Sequence, residues 1–233
     1  MQHQNKYNHP KAVPMENEFL LFQKFNDAAV ANQIADVLKQ NNIQLLLENN
    51  VQILETAYAN NNLTVDISLQ LRSTDFPKAQ LILEEYYEQA AANVDKDYYL
   101  FDFTNQELMD IVAHPYEWGY LDNALAKKIL KEKGIEIKPE IVEIFKSKNL
   151  RTLATPKNVN LLIVYLGYFS AVLGGILGLI IGFAISYGNK TLPNGEKVYS
   201  YSQRDRNHGT RMILISLVSI IFWVVLRWYL LGD

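Results

Sequence analysis

The sequence predicts an α+β protein made of a small β-α-β-β-α head, a helical segment and a two-helix transmembrane hairpin. Three observations predict it. Apolar residues in the first 91 positions switch between period two and period 3.6. Residues 95–157 are rich in helix caps and cations. Two apolar runs then follow, Leu161–Tyr187 without a charge and Met212–Leu231 with Arg227 alone. At about 1.5 Å per residue, roughly 20 apolar residues cross a hydrocarbon core about 30 Å thick, so both runs are long enough.

Taken in order, residues 1–14 are polar, rich in Asn and Gln, and read as a disordered tail, with Met15 a second candidate start of translation. Glu18–Phe25 reads as a strand. Asp27 opens a helix in which Ala31, Ile34, Ala35 and Leu38 recur at i, i+3, i+4 and i+7, closing at Asn41-Asn42. Ile43–Glu48 is a second strand. Leu63–Arg72 sets Leu63, Val65, Ile67, Leu69 and Leu71 on one face, a third strand. Asp75 is placed to cap the next helix, with Pro77 in its first turn and Ala79, Ile82, Leu83 and Tyr86 as its stripe.

One helical layer on a small sheet is what the order β-α-β-β-α can bury, which makes residues 15–91 a ferredoxin-like half. The stretches FLLFQKF, DAAVANQIADVLKQNNIQLLLEN and VDISLQLRSTDFPKAQLILEEY resemble the short bacterial domain described as a prokaryotic signal-transducing protein, itself distantly similar to nitrogen-regulatory PII proteins. The resemblance covers about 75 residues. It implies signal transduction and supplies no catalytic residue. Val51–Asn62, between the inner strands, has none of the glycine-rich sequence that cradles phosphate.

Residues 95–157 read as a helical, basic neck. Thr104-Asn105-Gln106-Glu107 is a capping box, Pro115 stops that helix, Tyr120–Lys133 closes at Gly134, and Pro139 opens a third helix. About 60 residues are few for a large independent core, so these helices are expected to pack on one another and on the head or the membrane surface. The aromatic residues Tyr98, Tyr99, Phe101 and Trp118 form a candidate partner patch.

Charge is uneven along the chain. Residues 1–126 hold 7 Lys/Arg against 18 Asp/Glu, whereas residues 127–157 hold nine cations against four acids. An acidic head can dock on a basic neck, and such a neck suits an anionic leaflet at about 1 kcal/mol per cation near the surface. The acidic head also argues against nucleic acid. The absence of cysteine excludes disulfides and thiolate chemistry. His3, His9, His114 and His208 are scattered, no nucleophile elbow, P-loop or zinc-binding helix is present, and neither a catalytic nor a metal or cofactor site is assigned.

In residues 161–187 the small residues Gly167, Ala171, Gly174, Gly175, Gly178, Gly182 and Ser186 mark a helix built for close packing, four of them repeating every fourth position. The partner is the second span or another copy. Neither span has an acid, a histidine or a central cation, which argues against a conduit. Residues 188–211 read as a polar loop with a hairpin turn at Pro193-Asn194-Gly195, and Ser216 and Ser219 as serines bonded to their own helix. Trp223, Arg227, Trp228 and Tyr229 read as an interfacial anchor of residues 212–231. Cations near the first span number four on the head side and five in the loop, a near tie. Because a large head is harder to export than a short loop, the head and the C-terminus are expected in the bacterial cytoplasm, below a multi-pass anchor in the inner membrane. The expected function is that of a non-enzymatic, membrane-anchored regulatory or interaction protein, with the bilayer and a protein or a second copy as partners. The alternative is an oligomeric membrane component, a small channel or transporter accessory subunit, assembled through the glycine stripe.

Overall fold

The computed structural model describes residues 18–51 and 65–231. The tail 1–14 and most of the Val51–Asn62 insertion therefore lie outside the described residues. The chain is α+β and mostly helical, and it divides into two compact units. Pro14–Ala154 together with Thr191–Glu196 form the first, and Thr155–Lys190 with Lys197–Asp233 belong to the second.

In the first unit, β1 (Phe19–Phe25), β2 (Leu45–Val51) and β3 (Val65–Arg72) make an antiparallel sheet in the order β1-β3-β2. α1 (Ala28–Gln40) follows β1, capped by Asp27, whose carboxylate accepts the Ala29 and Val30 N–H groups. α2 (Phe76–Ala91) follows β3. Here the capping expectation is corrected. Asp75 makes no side-chain cap bond, because it lies in a 3-10 turn, Ser73–Asp75, that already leads the chain into α2. The core between sheet and helices holds Ile34, Leu38, Leu69, Leu71, Phe76 and Leu83, all closed to solvent. Burial of such side chains contributes about 1.5–3 kcal/mol each.

The neck is no mere connector. α3 (Asn105–Ala113), α4 (Tyr120–Glu132) and α5 (Pro139–Ala154) belong to the same unit as the head and have their own core of Leu100, Leu108, Ile111, Leu125 and Leu130. The Thr104–Glu107 capping box forms. Tyr87 of α2 and Tyr120 of α4 stack at 5.9 Å and border the two cores. The opposed charges meet inside this unit: Lys146 Nζ of α5 lies 2.8 Å from Glu84 of α2 and 3.3 Å from Glu143, and Lys127 lies 3.8 Å from Glu88.

The second unit departs from expectation. Leu161–Tyr187 is not one helix. It is α6 (Leu161–Leu173) and α7 (Ile176–Tyr187), broken at Gly174-Gly175, where Gly175 has φ +78°. A side chain at Gly175 would also meet Ile220 and the Ser216 carbonyl. The two helices fold back antiparallel, with Gly178 against Ala171 and Gly167 beside Ile181. At 13 and 12 residues each is about 20 Å long, short of a 30 Å core. α8 (Gln203–Leu231) is the one helix among the described residues long and apolar enough to cross a membrane.

A second correction concerns residues 188–211. They hold a hairpin of β4 (Asn189–Thr191) and β5 (Lys197–Tyr199), but from Gln203 they are already helix. The Asp205 N–H donates to Ser202 Oγ at 3.3 Å and that hydroxyl returns to Asp205 at 3.0 Å, which starts α8 nine residues before its apolar run.

The ends of the second unit lie level. The Lys157 N–H donates to the Ser200 carbonyl at 2.8 Å, the Val159 N–H to Asp205 Oδ2 at 3.0 Å, and Lys190 Nζ to the Thr155 carbonyl at 3.0 Å. Entry to α6, exit from α7 and the start of α8 thus form one polar layer. A continuous first span would have put these segments on opposite sides of a bilayer.

Candidate functional site

The first unit has a cavity of about 400 Å³ that mixes polar and apolar walls. Strand β1 supplies one wall. Leu21 pairs with Gln70 and Gln23 with Leu69, so Phe22 is the extra residue of a bulge. Leu69 is fully buried on the helix-covered face, and the bulge brings Gln23 to that same face. Phe22 meets Phe76 edge-on at 5.1 Å. Gln23 Oε1 is buried and has no hydrogen-bond partner. A buried acceptor left open costs on the order of 1–3 kcal/mol, so this oxygen is a lining group with unspent bonding capacity.

The turn between α3 and α4 supplies the opposite wall through Pro115, Tyr116, Trp118 and Tyr120. Asn149 of α5, nearly closed to solvent, holds this turn: its Oδ1 accepts the Tyr116 N–H at 3.4 Å and its Nδ2 donates to Glu117 at 2.9 Å. The third wall is the hairpin tip, Thr191–Pro193. Gln80 Nε2 of α2 donates to the Pro193 carbonyl at 2.7 Å, and Gly195, with φ +83°, comes so near the Ser73 carbonyl that a Cβ would overlap it.

Among the described residues the cavity's lining has no carboxylate and no histidine, and its cation, Lys24, is paired to Asp66 at 2.7 Å. Burial raises the Tyr120 and Tyr116 hydroxyls above the ordinary tyrosine range, so both are neutral donors at physiological pH. Behind them, burial pulls Lys146 down, but the Glu84 and Glu143 carboxylates outweigh it and hold the ammonium above its ordinary value. Among the described residues no group of three His, Cys, Asp or Glu is placed to hold a metal.

The candidate aromatic patch is divided. Tyr98 donates to Asp122 at 2.7 Å, and with Phe101 it packs on the helical core. Tyr99 is the most open of the four and packs against Tyr98 and Phe103. Trp118 lines the cavity instead. Gln23 and Gln80 are cavity residues that sequence reasoning did not single out, and Pro193 was read only as part of a turn. The available signal for Gln23 was an amide beside Phe22 in a strand whose other polar residue is Lys24.

In the second unit the small residues are used within the chain. Gly167 faces Met212, Gly178 faces Ala171, Gly182 faces the Gly209 carbonyl, and Ser186 Oγ donates to the Arg206 carbonyl at 3.2 Å. Gly174 departs from the stripe: it ends α6, and nothing lies within 4 Å of where its Cβ would be. Ser219 Oγ donates across to the Val172 carbonyl of α6 at 2.7 Å, not to its own helix. Ser216 Oγ is buried without a partner. His208 Nδ1 lies 3.0 Å from the Tyr168 hydroxyl, and the Arg206 guanidinium stacks 3.2 Å from the Tyr199 ring centroid. Trp223 Nε1 reaches toward the Val172 carbonyl at 3.5 Å, whereas Trp228 and Tyr229 are 80% and 81% exposed on the last turns of α8, around Arg227.

Compared with protein families, curated proteins and solved structures, the chain has no match.

Proposed function

We propose that this chain is a membrane-anchored, non-enzymatic regulatory protein whose ferredoxin-like head binds a small molecule or a short peptide segment in the cavity beside β1. The observation that carries this reading is the cavity's third wall. Thr191–Pro193 is the tip of the hairpin that joins α7 to α8, so an occupant that displaces Pro193 or breaks its bond to Gln80 acts directly on the segment linking the two apolar helices. The neutral, aromatic lining and the open Gln23 acceptor favour binding over catalysis. The order β1-β3-β2, with both helices following in β-α-β-β-α sequence, supports the ferredoxin-like assignment and a role in signalling.

In this reading α8 is the single full span and α6–α7 is a re-entrant hairpin that enters and leaves the bilayer on the head's side. Backbone broken at membrane depth requires cover by protein, which α8 gives to the break. The arrangement also removes the near tie in the cation count. Lys157, Lys190, Lys197, Arg204, Arg206 and Arg211 then flank one membrane face, against Arg227 at the other, which supports a head in the bacterial cytoplasm and a C-terminus across the inner membrane. The C-terminus thus changes sides relative to the sequence expectation.

Single cysteines test this cleanly, because the chain has none of its own. Asn158→Cys and Asn189→Cys should react with an impermeant maleimide from the same side, and Asp233→Cys from the other. Labelling of Asn158→Cys and Asn189→Cys from opposite sides would restore the two-span hairpin. For the binding role, a metabolite and peptide screen on the full chain should shift its melting temperature and quench Trp118, with Gln23→Leu abolishing the shift. Hits insensitive to Gln23→Leu would place binding elsewhere.

A further inference from the structure

The shape of the second unit changes along its length. From the polar layer to the break at Gly174-Gly175 it is three helices thick, since α6 and α7 pack on each other and both pack on α8. Contact between α8 and the hairpin is seen as far as Trp223, which reaches Val172, the last turn of α6. Beyond it Val224, Val225, Trp228, Tyr229 and Leu230 are exposed and only Leu226 is half-buried, so α8 continues with little cover. The two lengths fill a bilayer: about 20 Å of hairpin and about 12 Å for the eight residues from Val224 to Leu231, against a core about 30 Å thick. A helix of about 10–12 Å diameter has a cross-section of about 80–110 Å². The leaflet next to the polar layer therefore holds three helices through its whole depth, whereas the far leaflet holds three only over about its inner third and α8 alone beyond.

We infer that this unit is a wedge whose partner is a curved bilayer: it favours membrane that is convex on the side of the polar layer. The inference rests on the reading that α6–α8 lie in a membrane, and it adds a property that anchoring alone does not require. The outer surface of the hairpin supports lipid as what surrounds it. Leu166, Phe169, Val172, Leu173, Ile176 and Leu177 are large and exposed, with no charge among them, while most of the small residues that would admit another helix closely are already used inside the unit. Rough, large-residue surfaces are filled by flexible acyl chains. Packing of the three helices also resists flattening of the hairpin, because Gly178 and Gly182 leave no slack against Ala171 and the Gly209 carbonyl.

The experiment uses the full chain carrying Asn158→Cys with a dye, reconstituted into giant vesicles of phosphatidylcholine and phosphatidylglycerol. Narrow tubes are drawn from the vesicles, and the density of molecules with the dye facing outward, scored by an impermeant quencher, is compared between tube and vesicle. The expected ratio exceeds one, rises as the tube narrows, and persists on dilution to densities where the heads no longer crowd. Inward-facing molecules should be depleted from the tube. A ratio of one at low density for both orientations overturns the wedge while leaving the anchor intact. Failure to float with vesicles after alkaline extraction would instead overturn the membrane reading itself, and the wedge with it.

Discussion

Helix α1 and the α6–α7 pair are both apolar and both packed, yet they are built inside out relative to each other. α1 buries Ala31, Ile34, Ala35 and Leu38 against a sheet and turns polar residues such as Asn32, Gln33 and Asp36 outward. α6 and α7 bury mostly small residues, Gly167, Ala171, Gly178, Gly182 and Ser186 beside Val164 and Ile185, and turn most of their Leu, Ile and Phe side chains outward. The difference shows two driving forces. Removal of apolar surface from water holds α1. Where the surroundings are themselves apolar, that force vanishes between helices, and what remains is close backbone approach and hydrogen bonds such as those of Ser186 and Ser219.

The two regions should therefore be sensitive to opposite changes, the first to removal of a large side chain and the second to addition of one. Leu69→Ala, at a fully buried position on β3, is expected to destabilise the first unit by about 2–5 kcal/mol in chemical denaturation. Gly178→Leu should cost the second unit about 3 kcal/mol or more, since the added side chain overlaps the Ala171 backbone, and should expose Asn158→Cys and Asn189→Cys to altered labelling. Equal tolerance of both substitutions would erase the comparison.

Next in size is the ion pair between α2 and α5. Lys146→Met should cost about 1–2 kcal/mol at neutral pH, because Glu84 loses a hydrogen-bonded cation in a half-buried place. The pH dependence has a definite sign. The folded state holds the Lys146 proton more tightly than the unfolded chain, so its contribution is complete below the unfolded value of 10.5 and is lost as pH rises through the higher folded value. Tyr98, Tyr116 and Tyr120 act in the same direction from about pH 10 upward, being raised by burial first, with Asp122 adding to the effect at Tyr98. Denaturation melts should show the gap between wild type and Lys146→Met closing in strongly alkaline buffer. The smallest effect is expected for Leu177→Ala, below about 0.5 kcal/mol, because that side chain faces away from the packed helices.

Much of the first unit was legible because water wrote it: the stripe of α1, the alternation Ile67-Leu69-Leu71 of β3, the Thr104 capping box and the Pro193-Asn194-Gly195 turn all carry local signatures. The cavity was not legible. It is assembled from β1, α2, the α3–α4 turn and a tip more than 110 residues downstream of Gln80, and no local pattern encodes such a meeting. The bulge that brings Gln23 inward is a property of pairing with β3, not of the strand's own residues.

The apolar runs divide the same way. Length and lack of charge determined, from sequence alone, that residues 161–187 and 212–231 prefer an apolar environment, because side-chain transfer energy follows composition. Whether Leu161–Tyr187 crosses or turns back was a matter of the backbone at two glycines. Gly174-Gly175 reads equally well as part of a packing stripe or as a break. Only α8 lying alongside, with Ile220 and the Ser216 carbonyl at the spot a Cβ would take, and Lys157 bonded to Ser200, decided for the break.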